Sequence, residues 1–313
     1  MHTVLVAVRG FTERFSEAAH FLAENNIRII TKDSLAEISN AEKAFIFPET
    51  EALWVAAEIC DADFLSQFPR LTLVCKMGSG MDNIDVAWCG QHGVEIANSR
   101  GCNANAVAEM TLLFMLSSLR QLPHICQIAK SGPWENRFAG EELSGKTVGL
   151  LGFGTIARRV AALLAPFSVR VLSYDPYMDQ DAATLLRVNP VSFDTLIEQS
   201  DVLSLHLPAS KENYKMVNRQ LISRMKDGAV LINCARGTLV DETALYEALA
   251  CGKLSAAGID VWEREPLSPG HPLFSLPNFI GTPHEAGMTR ESMRADSMTI
   301  ARSIVTVLSR KHV

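Results

Sequence analysis

Short apolar runs alternate with helix-period segments through the first hundred residues. Residues 3–8, 44–47, 71–75 and 94–97 read as strands, and residues 16–25, 61–68 and 86–92 read as helices between them. Such alternation predicts a parallel sheet with helices on both faces. Residues 103–120, rich in Ala, Leu and Met, read as one long helix, followed by the looser Ser131-Gly132-Pro133-Trp134-Glu135-Asn136. From Lys146 a second series begins, with strands at 147–151, 169–174, 202–205, 229–233, 256–260 and 279–281. Six strands separated by helical stretches form a doubly wound pattern, the architecture that binds dinucleotides. A last helix, about 290–308, has no strand after it and is expected to pack back on the first domain.

Composition narrows the class. A chain of 313 residues exceeds one ordinary core, so two α/β domains are expected. Net charge is −6 and Lys and Arg are scattered, which leaves nucleic-acid binding without electrostatic support. The longest apolar candidate, residues 110–119, falls short of the roughly 18 residues a membrane span needs. The N-terminus reads as a first strand and not as a secretion signal. Seven cysteines at irregular spacing, with no Cys-x-x-Cys pair, predict reduced thiols in a cytoplasmic protein and no metal site.

The strand at 147–151 runs into Gly152-x-Gly154-x-x-Ala157 and then a helix through Thr155 and Ile156. Gly152 permits the tight turn, Gly154 lets backbone approach a pyrophosphate, and Ala157 allows close helix–strand packing, with the helix N-terminus facing the phosphates. Met77-Gly78-Ser79-Gly80 has similar glycines without the right flanks. An acidic residue is required about 20 residues on, and Asp175 follows the next strand. Its carboxylate suits the adenosine ribose hydroxyls and opposes a 2′-phosphate, which predicts NAD over NADP; a turn aspartate before Pro176 is the plainer reading.

Three segments at later strand ends carry candidate chemistry: Asn233-Cys234-Ala235-Arg236-Gly237, Asp260-Val261-Trp262-Glu263-Arg264-Glu265-Pro266, and Thr282-Pro283-His284-Glu285. His284-Glu285 begins a zinc-type H-E-x-x-H pattern, but position 288 is Met. Each of Arg236, Glu265 and His284 also fits ordinary loop chemistry when taken alone.

Together, in this order, the segments resemble the D-isomer-specific 2-hydroxyacid dehydrogenases, which include 3-phosphoglycerate dehydrogenases and hydroxypyruvate reductases. Met77-Gly78-Ser79-Gly80-Met81-Asp82-Asn83-Ile84-Asp85 resembles the family's substrate loop, and Asn103-Ala104-Asn105-Ala106-Val107-Ala108-Glu109 its interdomain helix. The resemblance implies a Rossmann NAD-binding domain, residues 101–284, inserted in a flavodoxin-like substrate domain made of residues 1–100 and 285–313. It implies that Arg236 binds the substrate carboxylate, that His284 is the general acid/base, and that Glu265 pairs with His284. Asp260 is expected to anchor the nicotinamide carboxamide. His206 and Pro208, in Leu205-His206-Leu207-Pro208, and Cys234 and Ala235 fall on the cofactor side. Lys76, Ser79 and Gly80 fall on the substrate side.

A homodimer is also implied, formed through the helix from Asn103 and the arm carrying Trp134. Glu265 departs from formate-type relatives, which carry glutamine there, and Ser79 from phosphite-oxidising ones. No regulatory domain is expected after the final helix. Lys76 and Arg100 look like spare cations, which predicts a substrate with a second anionic or polar group. A dinucleotide-sensing corepressor of the same fold is the rival reading.

Overall fold

The computed structural model describes residues 1–78, 80–132 and 139–310. The chain divides into two compact units, Met1–Asn103 with Met288–Val313, and Ala104–Gly287.

In the first unit the order is β1 (His2–Ala7), α1 (Phe11–Arg14), α2 (Ser16–Glu24), β2 (Ile27–Lys32), α3 (Asn40–Ile46), β3 (Ala52–Val55), α4 (Ala62–Leu65), β4 (Leu73–Lys76), α5 (Val86–Gln91) and β5 (Glu95–Asn98). Among the described residues the strands form one parallel sheet in the order β2-β1-β3-β4-β5, the flavodoxin-like arrangement. Alternate side chains go to opposite faces, as strand geometry requires. Val4, Val6, Trp54, Leu73 and Cys75 pack on one side, and Leu5, Ala7, Leu53, Val55 and Val74 on the other. The C-terminal helix, Arg290–Ser309, lays Ile300, Ala301, Ile304 and Leu308 on the first of these faces.

Sequence and structure differ here in three places. Residues 44–47 are not a strand; most of that run lies in α3, and the strand is β3, whose four residues are all buried. The cause is local. Ser39 and Glu42 form a capping box, each side chain satisfying the other's backbone N–H, which starts a helix before the apolar run can extend. The edge strand β2 was also not expected, because its alternation of buried and exposed positions is weak. The helix expected over 61–68 shrinks to the single turn of α4, capped by Asp61.

The second unit contains α6 (Ala104–Leu119), α7 (Leu122–Ser131), β6 (Thr147–Leu151), α8 (Thr155–Leu164), β7 (Arg170–Tyr174), α9 (Gln180–Leu185), β8 (Asn189–Pro190), α10 (Phe193–Gln199), β9 (Val202–Leu205), α11 (Arg219–Arg224), β10 (Ala229–Asn233), α12 (Glu242–Ala250), β11 (Leu254–Ile259) and β12 (Phe279–Gly281). Its parallel sheet runs β12-β11-β10-β9-β6-β7-β8 among the described residues, one strand more than expected. The extra strand, β8, is a two-residue edge that ends in Pro190, a position where a missing N–H costs no ladder bond. Helices α6 and α8 cover one face through Phe114, Met115, Val160 and Leu164, and α10, α11 and α12 the other through Leu196, Ile222 and Leu245. Strand order reverses between β6 and β9, so a crevice opens at their carboxyl ends, where such sheets bind ligands.

Candidate active site

The turn after β6 is built for close approach. Gly152 has φ of +97°, and a Cβ there would stand 2.6 Å from the His206 carbonyl oxygen. Its N–H donates to the Tyr174 carbonyl at 2.8 Å. Asp175, at the end of β7, accepts the Phe153 N–H at 2.7 Å and the Tyr177 N–H at 2.8 Å. It therefore braces the turn while its remaining lone pairs stay available. Gly154 caps α8 without any side-chain cap, and the first turn of α8 carries no acidic residue. A Cβ on Gly154 would meet nothing within 4 Å. Free first-turn N–H groups beside open space, at a positive helix end, suit a dinucleotide pyrophosphate. Thr155 and Ile156 begin α8, and the fully buried Ala157 packs it on the sheet.

His206 follows β9. Its N–H donates to the Leu151 carbonyl at 2.8 Å, and its Nε2 lies 3.0 Å from the Ser204 hydroxyl. Desolvation draws its pKa down to about 4, so the ring is neutral near pH 7. Pro208 accepts the Asn213 side-chain N–H at 2.7 Å. Cys234, at the end of β10, is buried, and that burial pushes its thiol up to about 12. It is a packing residue and not a nucleophile.

Three strand ends then converge. The buried Asn233 amide accepts the Ala235 N–H at 3.0 Å and donates to the Arg236 carbonyl at 2.9 Å, which fixes the turn that presents Arg236. Gly237 must be glycine, since a Cβ would lie 1.9 Å from the Trp262 carbonyl carbon. Arg236 Nη1 donates to the Ala235 carbonyl at 2.7 Å. His284 Nδ1 lies 2.7 Å from Glu265 Oε2, and Glu265 Oε1 accepts the Trp262 N–H at 2.9 Å. The hydrogen bond to Glu265 raises the pKa of His284, partly offset by burial. Burial pushes Glu265 up, but the bonds from His284 and the Trp262 N–H outweigh it and hold the carboxyl below its ordinary value. The Arg236 charge acts on both members of the pair.

Asp260 does more than the sequence suggested. It is almost wholly buried, and its carboxylate accepts the Thr282 hydroxyl at 2.5 Å and the N–H groups of Glu285 and Ala286 at 2.8 and 2.9 Å. Its carbonyl accepts the His284 N–H at 2.7 Å. His284 sits at φ of +61°, a conformation an L-residue adopts only when its surroundings enforce it. Asp260 supplies that enforcement, and about one lone pair remains for a carboxamide. Asn233, Trp262 and Thr282 had no assigned roles from sequence, although all three stand inside the quoted segments. No cluster of three metal-ligating side chains occurs among the described residues.

Lys76 and Gly80 lie in the first unit, and Ser79 lies outside the described residues. Lys76 ends β4. Its ammonium donates to the Met77 carbonyl at 2.7 Å, a bond to a neutral acceptor that leaves the charge in place. Arg100 is exposed on the turn after β5.

Residues 112–286 match the family profile described as D-isomer specific 2-hydroxyacid dehydrogenase, NAD binding domain. The chain belongs to the D-isomer-specific 2-hydroxyacid dehydrogenase family. Within that family it is 37% identical over 293 residues to a D-3-phosphoglycerate dehydrogenase of Archaeoglobus fulgidus, covering 93% of this chain and 55% of the relative. It is 38% identical over 263 residues to a hydroxypyruvate reductase of Thermotoga maritima, covering 83% and 85%. The chain thus spans about half the length of the phosphoglycerate dehydrogenases it matches. The D-lactate dehydrogenase of Aquifex aeolicus, solved with NAD and lactic acid, superposes with a TM-score of 0.82 at 28% identity, over 99% of this chain and 95% of that one. The family's cofactor is NAD, and the glycine turn, the uncapped α8 and Asp175 fit it.

Proposed function

We propose that this chain interconverts a D-2-hydroxy acid and its 2-oxo acid with NAD. The observation that carries the reading is the His284–Glu265 pair beside Arg236, at the carboxyl edge of a dinucleotide-type sheet. Bound nicotinamide would supply or accept the hydride at the alpha carbon. Arg236 would hold the substrate carboxylate and polarise the adjacent carbonyl. His284 has Nδ1 engaged by Glu265, so Nε2 is the atom that would deliver a proton to the carbonyl oxygen in reduction and take it back in oxidation. Asp260 would hold the His284 loop and lend its remaining lone pair to the cofactor.

The unit formed by Met1–Asn103 and Met288–Val313 would be the substrate domain, with Lys76, Ser79 and Gly80 in its loop. The substrate would be of the hydroxypyruvate or 3-phosphohydroxypyruvate type, and the kinetic panel below decides between them. The relatives matched are named as dehydrogenases and reductases, which argues against the corepressor reading. The test is NADH oxidation with glyoxylate, hydroxypyruvate, pyruvate, 3-phosphohydroxypyruvate and 3-sulfopyruvate, in the wild type and in His284→Ala. Loss of ~10²–10⁴ in turnover is expected in the variant, with NADH binding retained. Wild-type inactivity on the whole panel would overturn the reading.

The proposal includes a homodimer formed through α6 and the segment after it. Leu113 of α6 is exposed, and the arm carrying Trp134 lies outside the described residues. An apolar helix face with an aromatic anchor is what a stable two-fold interface needs. Light scattering at micromolar concentration should give twice the 34.3 kDa chain mass, and the chain mass alone would contradict it. No described helix is long and apolar enough to cross a membrane. The free cysteines support a cytoplasmic setting, which cell fractionation would check.

A further inference from the structure

We propose that Glu242, tied to His271, is a positioning residue that aims Glu265 at His284. The proposal rests on the reading of Glu265 and His284 as the acid/base pair of a dehydrogenase, and deepens it.

Glu242 is the first residue of α12, yet the helix start does not need its carboxylate. The cap is Asp241, whose Oδ1 accepts the Thr243 and Ala244 N–H groups at 3.1 and 3.2 Å. Both Glu242 oxygens turn to other segments. Oε1 accepts the Glu263 N–H at 2.9 Å, and Oε2 lies 3.2 Å from His271 Nε2. The side chains of Glu242 and His271 are 20% and 18% exposed, so neither is a solvated surface group. His271 Nδ1 is buried with no hydrogen-bond partner among the described residues, so Nε2 is the nitrogen that carries the hydrogen and donates to Glu242.

Trp262 joins these contacts to the catalytic pair. Its ring meets the His271 ring edge to face, with centroids 5.3 Å apart. Its backbone N–H donates to Glu265 Oε1 at 2.9 Å, and its indole N–H donates at 2.9 Å to the carbonyl of Thr282, two residues before His284. The next peptide N–H, that of Glu263, is the one Glu242 holds. The Glu263 carboxylate is held as well, by the Tyr214 hydroxyl at 2.8 Å and the Lys215 ammonium at 3.0 Å. Residues 262 and 263 are thus fixed from outside their own loop. Glu265 hydrogen-bonds Trp262 and His284 alone among the described residues. Its place therefore follows the 262–263 peptide, and a tilt of that peptide moves the carboxylate off His284 Nδ1. Glu242 acts on the pair in this way without contact to substrate.

The test is the titration of the His284 imidazole, followed by NMR in the wild type, Glu242→Ala, Glu265→Gln and the double variant, with Tm as the folding control. Glu265 and Asp260 hold the His284 proton on and Arg236 opposes them; only the first is disturbed. In Glu242→Ala the His284 pKa should fall by about 0.3–0.7 pH unit, and in the Glu265→Gln background the same change should add no further fall. A role in stability alone would lower Tm and leave the titration in place. In reduction kcat should fall about tenfold, with KM for the 2-oxo acid and for NADH within about twofold of wild type. An unchanged titration in Glu242→Ala, or an equal fall in the Glu265→Gln background, overturns the proposal. If Glu242→Ala does not fold, His271→Phe keeps an aromatic ring beside Trp262 and removes the bond to Glu242; the titration should move in the same direction, and an unmoved one overturns the proposal there. The titration needs no turnover, so a wild type inactive on every 2-oxo acid would remove the dehydrogenase reading separately.

Discussion

Replacing Glu265 with glutamine removes a charge 2.7 Å from His284 Nδ1 while keeping nearly the same shape. Two effects can be separated. The first is electrostatic. The side chains of His284 and Glu265 are 52% and 36% exposed, so solvent screens the pair, and its worth falls in the range of ~0.2–1 kcal/mol instead of that of a dry ion pair. At most this changes the ratio of protonated to neutral His284 by about fivefold at a given pH. The second is geometric. Glu265 accepts from both Trp262 and His284, and glutamine has one oxygen for the two, so the ring loses part of its orientation.

On the proposed mechanism, reduction needs the protonated imidazole. Below the pKa of both proteins His284 is charged in each, and the wild-type-to-variant ratio of kcat/KM reports orientation alone. Glu265 raises the wild-type pKa, so the variant loses its proton first as pH rises, and the ratio should grow by up to about fivefold. In oxidation the neutral ring is the base, so the electrostatic part has the opposite sign and favours the variant on the acid side. The assay is kcat/KM against pH in both directions, with Tm as a control for folding. A ratio independent of pH in both directions would refute the coupling of Glu265 to the His284 proton.

Gly152→Ala should weaken NADH binding at least tenfold and lower Tm, since φ of +97° and the 2.6 Å approach to the His206 carbonyl impose strain of about 1–3 kcal/mol; unchanged calorimetric affinity would contradict the turn's role. Asp175→Ser should raise the NADPH-to-NADH ratio of kcat/KM by about tenfold, and a wild type that already prefers NADPH would remove the role given to Asp175. Asp260→Asn turns an amide NH2 toward one of the Thr282, Glu285 and Ala286 donors, so it should cost about 1–3 kcal/mol of stability and reduce kcat more than it raises KM. Unaltered kcat together with unaltered Tm would mean that the His284 loop does not depend on this carboxylate.

The amino-acid sequence by itself determined the parallel-sheet architecture, the glycine turn and the order of Arg236, Glu265 and His284. Those features are written in short windows. A strand, a tight turn and a helix cap are set by covalent geometry and by neighbours a few residues away, and Asp175 belongs to the very next strand. The run at 44–47 shows where that legibility stops, because an apolar tetrad suits strand and helix alike, and the capping box of Ser39 and Glu42 decided between them. Only the tertiary structure decided what the buried charges do. Asp260, expected to hold the cofactor, also clamps the His284 loop across 22 to 26 residues of chain. No local pattern encodes such pairings, since an aspartate has the same neighbours in sequence whatever faces it, and desolvation and charge act through distance in space.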